Sequence, residues 1–162
     1  MNMSRSVLIM TTLFLSNGLV MASSLTISLT GHIKNYCEIN FNDGESLDFS
    51  NEIQKSLPFD IQCNQPLSMS VYSRKGGLEN QQSNVRQVVP YEVDIDIATI
   101  GLNSTLQSQD IASPTVIDSS SVIPFDTAGV MRVTLKENLL YAGYYEDVIE
   151  IDVFPSIHGS SK

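Results

Sequence analysis

The chain has 162 residues, two cysteines, no tryptophan and a formal net charge of −9. That length suits one domain once a leader is set aside, and the acidic balance argues against nucleic acid and anionic membrane as partners. Met1 to Ala22 reads as a secretory signal peptide: Arg5 supplies the positive start, Val7 to Leu15 is apolar apart from Thr11 and Thr12, and Val20-Met21-Ala22 fits a small-residue cleavage site, with a second fit after Ser24. The alternative, an uncleaved anchor, is disfavoured because the apolar run falls well short of the ~20 residues that a span needs. Without Arg5 the 9 Lys and Arg fall to 8 against 18 Asp and Glu, a net charge of −10. Export places Cys37 and Cys63 in an oxidising compartment, where an even count reads as a disulfide. Neither has a Cys or His at zinc-ligand spacing.

The first readable element is long. Leu25, Ile27, Leu29, Gly31, Ile33, Cys37, Ile39 and Phe41 share one parity, with Thr26, Ser28, Thr30, His32, Lys34, Glu38 and Asn40 between them. Period-two alternation marks strands with one buried face. Residues 25–41 as a single strand would reach roughly 56 Å, against a usual ~17–20 Å. The stretch therefore reads as two strands in series, Leu25 to Ile33 and Asn35 to Phe41.

The next apolar rows are Leu57, Phe59, Ile61 and Cys63, then Leu67, Met69 and Val71 against Ser68 and Ser70, joined through Asn64-Gln65-Pro66. Arg74-Lys75-Gly76-Gly77 punctuates the chain, and Glu79 to Asn84 reads as a polar loop. Tyr91, Val93, Ile95 and Ile97 alternate with Glu92, Asp94 and Asp96. From Thr99 to Ser121 the pattern dissolves into a long loop or short edge strands. Met131, Val133 and Leu135 form another row. Tyr145, Ile149, Ile151 and Val153 form the last, after a break at Ala142-Gly143. No segment of helix length holds a 3.6-residue period. About seven short strands with one disulfide predict an antiparallel β-sandwich of immunoglobulin-like type. A sandwich would follow the row at Ile149 to Val153 with one more strand, and only Pro155 to Lys162 follow it here. The chain start carries a strand too many and the chain end one too few, which suggests exchange of a strand between subunits.

Leu25-Thr26-Ile27-Ser28-Leu29-Thr30-Gly31-His32-Ile33, with Cys37 soon after and Cys63 at the end of the second strand, resembles the donor strands of chaperone–usher pilins. Leu47-Asp48-Phe49 resembles the Leu-Asp-Phe-Gly step of pilins and of spore coat protein U-type domains, with Ser50 in place of Gly. Ala142-Gly143-Tyr144-Tyr145-Glu146-Asp147 resembles their Ala-Gly-Xaa-Tyr-Xaa-Asp step before the last strand. The chain departs from many type 1 pilins by running past Phe154-Pro155 for seven residues. The resemblance implies an incomplete immunoglobulin-like sandwich (34–162) behind an N-terminal extension (23–33), completed by donor-strand exchange. It also implies a fimbrial subunit, exported through the periplasm to the cell surface, whose partners are neighbouring pilins, a periplasmic chaperone and an outer-membrane usher. Leu25, Ile27, Leu29, Gly31 and Ile33 would be the donor face. Tyr145, Ile149, Ile151 and Val153 would edge the acceptor groove.

Two other classes stay open. One is a self-complete secreted binding module, a small adhesin or lectin, with Leu25 to Ile33 as its own first strand. Tyr36, Tyr72, Tyr141 and Tyr144 could then line a sugar site. The other is a secreted hydrolase, for which His32 and His158 lack any nucleophile motif. Glu92, Asp94 and Asp96 alternate along a strand without the Gly and distal Glu of a Ca²⁺ loop, and Asn103-Ser104-Thr105 is a glycosylation sequon expected to be idle. The residues predict no catalytic centre, metal, cofactor or small-molecule substrate.

Overall fold

The computed structural model describes residues 24–42, 44, 46–82, 86–120 and 122–156. The expected leader and residues 157–162 lie outside them. The chain divides after His32. In the first unit, residues 24–32 take no strand, and Leu25, Ile27 and Leu29 are exposed. Alternation alone does not make a strand here, because a β-ladder needs a hydrogen-bonding partner.

The second unit is all-β and antiparallel. Five strands form the larger sheet: β1 (Cys37–Asn40), β2 (Gln54–Cys63), β9 (Thr127–Leu135), β6 (Tyr91–Ile97) and β7 (Leu102–Gln107), in that order. A second sheet has the order β11 (Ile149–Pro155), β3 (Leu67–Ser73), β8 (Thr115–Asp118). A small third sheet joins β10 (Tyr145–Glu146), β4 (Leu78–Asn80) and β5 (Val88–Val89). The inward rows meet in one core: Leu57, Phe59 and Ile61 from β2, Leu67, Met69 and Val71 from β3, Tyr91, Val93, Ile95 and Ile97 from β6, and Met131, Val133 and Leu135 from β9. Phe59 touches Phe41 edge-on, with ring centroids 5.5 Å apart. A Cβ on Gly129 would meet the Phe59 ring at 2.5 Å, so the close pairing of β9 over that ring needs glycine.

Two parts of the pattern read differently in three dimensions, and between them a third settles on one of its two readings. The expected loop at 79–84 contains the end of β4. The stretch from Thr99 to Ser121 holds β7 and β8, both edge strands, preceded by the 3₁₀ turn Ala98–Ile100, which ends on Gly101 at φ 64°. Ser68, on the polar side of β3, is buried, because the Asp118 side chain on β8 accepts its hydroxyl hydrogen bond. Cys37 and Cys63 are disulfide-bonded and sit opposite each other in the β1–β2 ladder.

Candidate functional site: an open apolar groove

The last strand is interrupted, and one carboxylate explains why. Between β10 and β11, Asp147 accepts from Ser73 Oγ (2.6 Å), Tyr91 Oη (2.8 Å) and the backbone N–H groups of Lys75 (3.0 Å), Gly77 (3.1 Å) and Val148 (2.7 Å). Five donors on one side chain tie the 73–77 turn, β6 and the root of β11 together. Burial pushes the Tyr91 phenol far above its ordinary value; the Ser73 hydrogen bond opposes that shift and the Asp147 charge adds to it. Just upstream, Gly143 sits at φ 144°, and a Cβ there would meet the Asn80 amide at 2.6 Å. The Ala142–Asp147 step is therefore a device that aims β11.

β11 pairs with β3 on one side only. Arg74 N–H donates to the Val148 carbonyl (3.0 Å) and Ser156 N–H to the Pro66 carbonyl (2.6 Å), one step beyond each end of the ladder. In an antiparallel pair, alternate residues spend their backbone groups on the neighbour. The even-numbered residues of β11 face β3, so Ile149, Ile151 and Val153 turn their N–H and C=O groups to the free edge. The same holds at β1. Asn64 N–H donates to the Tyr36 carbonyl (3.1 Å), so Cys37 and Ile39 turn theirs away from β2. No strand among the described residues pairs with either edge.

Between these edges lies a groove of about 470 Å³. Ile149 and Ile151 line one wall, Ile39, Phe41, Leu47 and Phe49 the other, and Leu57, Met131 and Val133 the floor, while Leu78, Tyr91, Asp147 and Val148 complete the lining. Of the residues expected at its edge, Ile149 and Ile151 are in the lining. Tyr145 and Val153 lie outside it, Tyr145 on the small sheet and Val153 further along β11. Of the donor face, Leu25, Ile27, Leu29 and Ile33 are exposed, and nothing stands within 4 Å of a Cβ built on Gly31.

Sequence reasoning missed the Phe41–Phe49 wall because it lies in irregular chain beyond β1. The signal was present in Leu47-Asp48-Phe49. Asp48 Oδ1 accepts from both Ser50 N–H (2.8 Å) and Ser50 Oγ (2.6 Å), which holds its carboxyl below the usual range and folds the step into a turn.

A polar depression elsewhere is bounded by Glu38, Asn40, Asp60, Gln62 and Asp126. Among the described residues, no three His, Cys, Asp or Glu stand where they could hold a metal ion. His32 is exposed, and His158 lies outside the described residues. No protein-family model matches this chain, and no curated protein matches it.

Proposed function

We infer that this protein is a structural subunit of a surface filament, a fimbrial subunit that donates its N-terminal strand to a neighbour and accepts one in its own groove. The observation that carries this is the apolar groove between the free edges of β1 and β11. An exposed sheet edge over apolar lining is a liability that soluble proteins normally cover. The same chain supplies a cover of matching chemistry. Leu25, Ile27, Leu29 and Ile33 would each contribute about 1.5–3 kcal/mol if fully buried. From Leu25 to Ile33 the segment spans roughly 26 Å when extended, long enough to run the ~20 Å of a seven-residue strand. It resembles pilin donor strands in the same residues, which makes a chaperone and an usher the expected partners in assembly.

The hydrogen-bond parity constrains the insertion. Both edges offer the backbone groups of their inward-facing residues. In an antiparallel pair directly opposite residues bond each other, whereas in a parallel pair a residue bonds those flanking its opposite. An inserted strand with its apolar face inward must therefore run antiparallel to one edge and parallel to the other. It must also widen the gap: three adjacent strands place the outer two about 9.6 Å apart, and Cα atoms of β1 and β11 approach within 8 Å. A donor held by one subunit and rooted in the next makes a head-to-tail contact that does not close, which builds a filament.

The test deletes residues 23–30 and returns them as a Ser23–Asn35 peptide. Strand donation predicts that the intact chain assembles, and that the truncated chain stays unassembled and melts higher with peptide. Equal, peptide-indifferent monomers would sink it in favour of a self-complete binding module.

A further inference from the structure

The stretch just after the expected donor segment, Lys34 to Tyr36, is clamped to the body. Asn64 grips this root three times: its Oδ1 accepts from Tyr36 N–H (2.9 Å), its backbone N–H donates to the Tyr36 carbonyl (3.1 Å), and its Nδ2 donates to the Lys34 carbonyl (2.8 Å). Asn64 follows Cys63, which is disulfide-bonded to Cys37. Lys34 to Tyr36 are thereby fixed to the end of β2. Ile33, the last apolar residue of the donor face, is the very next residue, one Cα step of ~3.8 Å away.

That same pole of the body is apolar. Cys63 N–H donates to the Pro124 carbonyl (2.8 Å), which pins the β8–β9 loop beside the disulfide. Pro124 is buried, while its neighbours Val122, Ile123 and Phe125 face outward, Phe125 with 71% of its surface exposed. Tyr36, 46% exposed, stands at the root itself.

We propose that the pole formed by Tyr36, Val122, Ile123 and Phe125 is a second contact surface, whose occupant is the body of the neighbouring copy that holds the donor segment. The inference rests on the strand-donation reading and extends it. The occupant follows from tether length. A groove that seats Ile33 must bring its own rim within a residue or two of Lys34, because the clamped root offers no slack. The surface met there is the apolar pole. Asn64 is a positioning residue in this arrangement: it holds Lys34 to Tyr36 against the end of β2, where the two bodies would meet. An exposed Phe and two aliphatics beside a tethered partner are covered on every assembly event, since the tether supplies a high local concentration of that partner.

The experiment uses the full chain throughout. A fluorescent Ser23–Asn35 peptide measures the groove alone, because the peptide has no body to meet the pole. Unlabelled peptide is then titrated against preformed chains, to read the concentration that takes them apart. Two variants are compared with the unmodified protein: the double change Ile123→Ser with Phe125→Ser, and an insertion of Gly-Ser-Gly-Ser between Ile33 and Lys34. Both alter exposed positions, and the insertion leaves the whole folded body untouched. The expected result is labelled peptide bound by all three proteins, and chains that come apart at a peptide concentration at least tenfold lower in both variants. Chains of both variants that resist within twofold of the unmodified protein, with peptide still bound, would overturn the pole contact and leave the groove reading intact. Failure of the labelled peptide to bind any of the three proteins would overturn the groove reading and this one with it.

Discussion

β3 and β11 lie side by side in one sheet and carry the same kind of apolar row, yet they bury it differently. Leu67, Met69 and Val71 on β3 are each 0% exposed, while their register partners on β11, Pro155, Val153 and Ile151, are only half-buried. The side chains do not explain this, since Ile151 is larger and more apolar than Val71. The neighbours do: β3 has a strand on both edges, β8 and β11, and β11 has one. Burial depth is set by what flanks a strand, and on β11 one flank carries no paired strand among the described residues. The row at Ile149 to Val153 is an apolar face covered on one side only among the described residues.

The sharpest way to break this comparison is to truncate one residue on each side of it. Phe59→Ala, in the closed part, should cost about 3–5 kcal/mol in denaturant unfolding. Ile151→Ala should cost clearly less in the subunit alone. With the Ser23–Asn35 peptide bound it should approach the 2–5 kcal/mol of a buried aliphatic truncation. Equal costs with and without peptide would mean that the groove is never filled. Next in size is the Cys37–Cys63 bond. It closes a loop of sequence separation 26, worth about 3–4 kcal/mol on the chain-entropy account, so Cys37→Ser with Cys63→Ser should lower stability by that amount. The bond also anchors β1, the groove's other edge, so this variant should lose peptide binding as well.

Asp147→Ala should cost about 1–3 kcal/mol, since Tyr91 Oη and Ser73 Oγ lose their acceptor in a buried setting. Because Asp147 aims β11, its loss should weaken peptide binding further than its thermal shift alone accounts for. In the peptide, Gly31→Leu should weaken binding by about 1–3 kcal/mol if a groove wall closes on that position, while Ser28→Ala, on the outward parity, should change little. The smallest effect belongs to the closed part. The Lys136 ammonium, helped by the Gln107 amide, holds the Glu92 carboxyl below its usual value. A lowered folded value means the contribution is present above the usual glutamate range and fades as pH falls through the folded one. Glu92→Gln should therefore flatten the acid side of the stability profile slightly and leave peptide binding unchanged.

Much of the fold was legible in the residues. The rows on β2, β3, β6 and β9 were read with the right faces inward, because period-two alternation reports a local geometry that each strand has by itself. The disulfide followed from an even count of cysteines in a chain expected to be exported. The last row was legible as apolar and as short of a following strand, and two of its residues, Ile149 and Ile151, do line the groove. Phe41, Leu47 and Phe49 were each noticed, but not as one wall of the groove, since irregular chain has no period to say which way its side chains face. β4 and β5 were lost in a polar stretch, too short for alternation to register.

What the sequence determined by itself was which residues prefer to be buried and on which face of which strand, since side-chain chemistry and the two-residue repeat are local properties. Only the tertiary structure decided which of those faces find a partner. Hydrogen-bond parity at Tyr36, Arg74 and Ser156 turns the inward residues of β1 and β11 toward a shared gap, and Asn64 fixes Lys34 to Tyr36 at its pole. Those are relations between segments far apart in the chain, and a sequence pattern carries no record of distance.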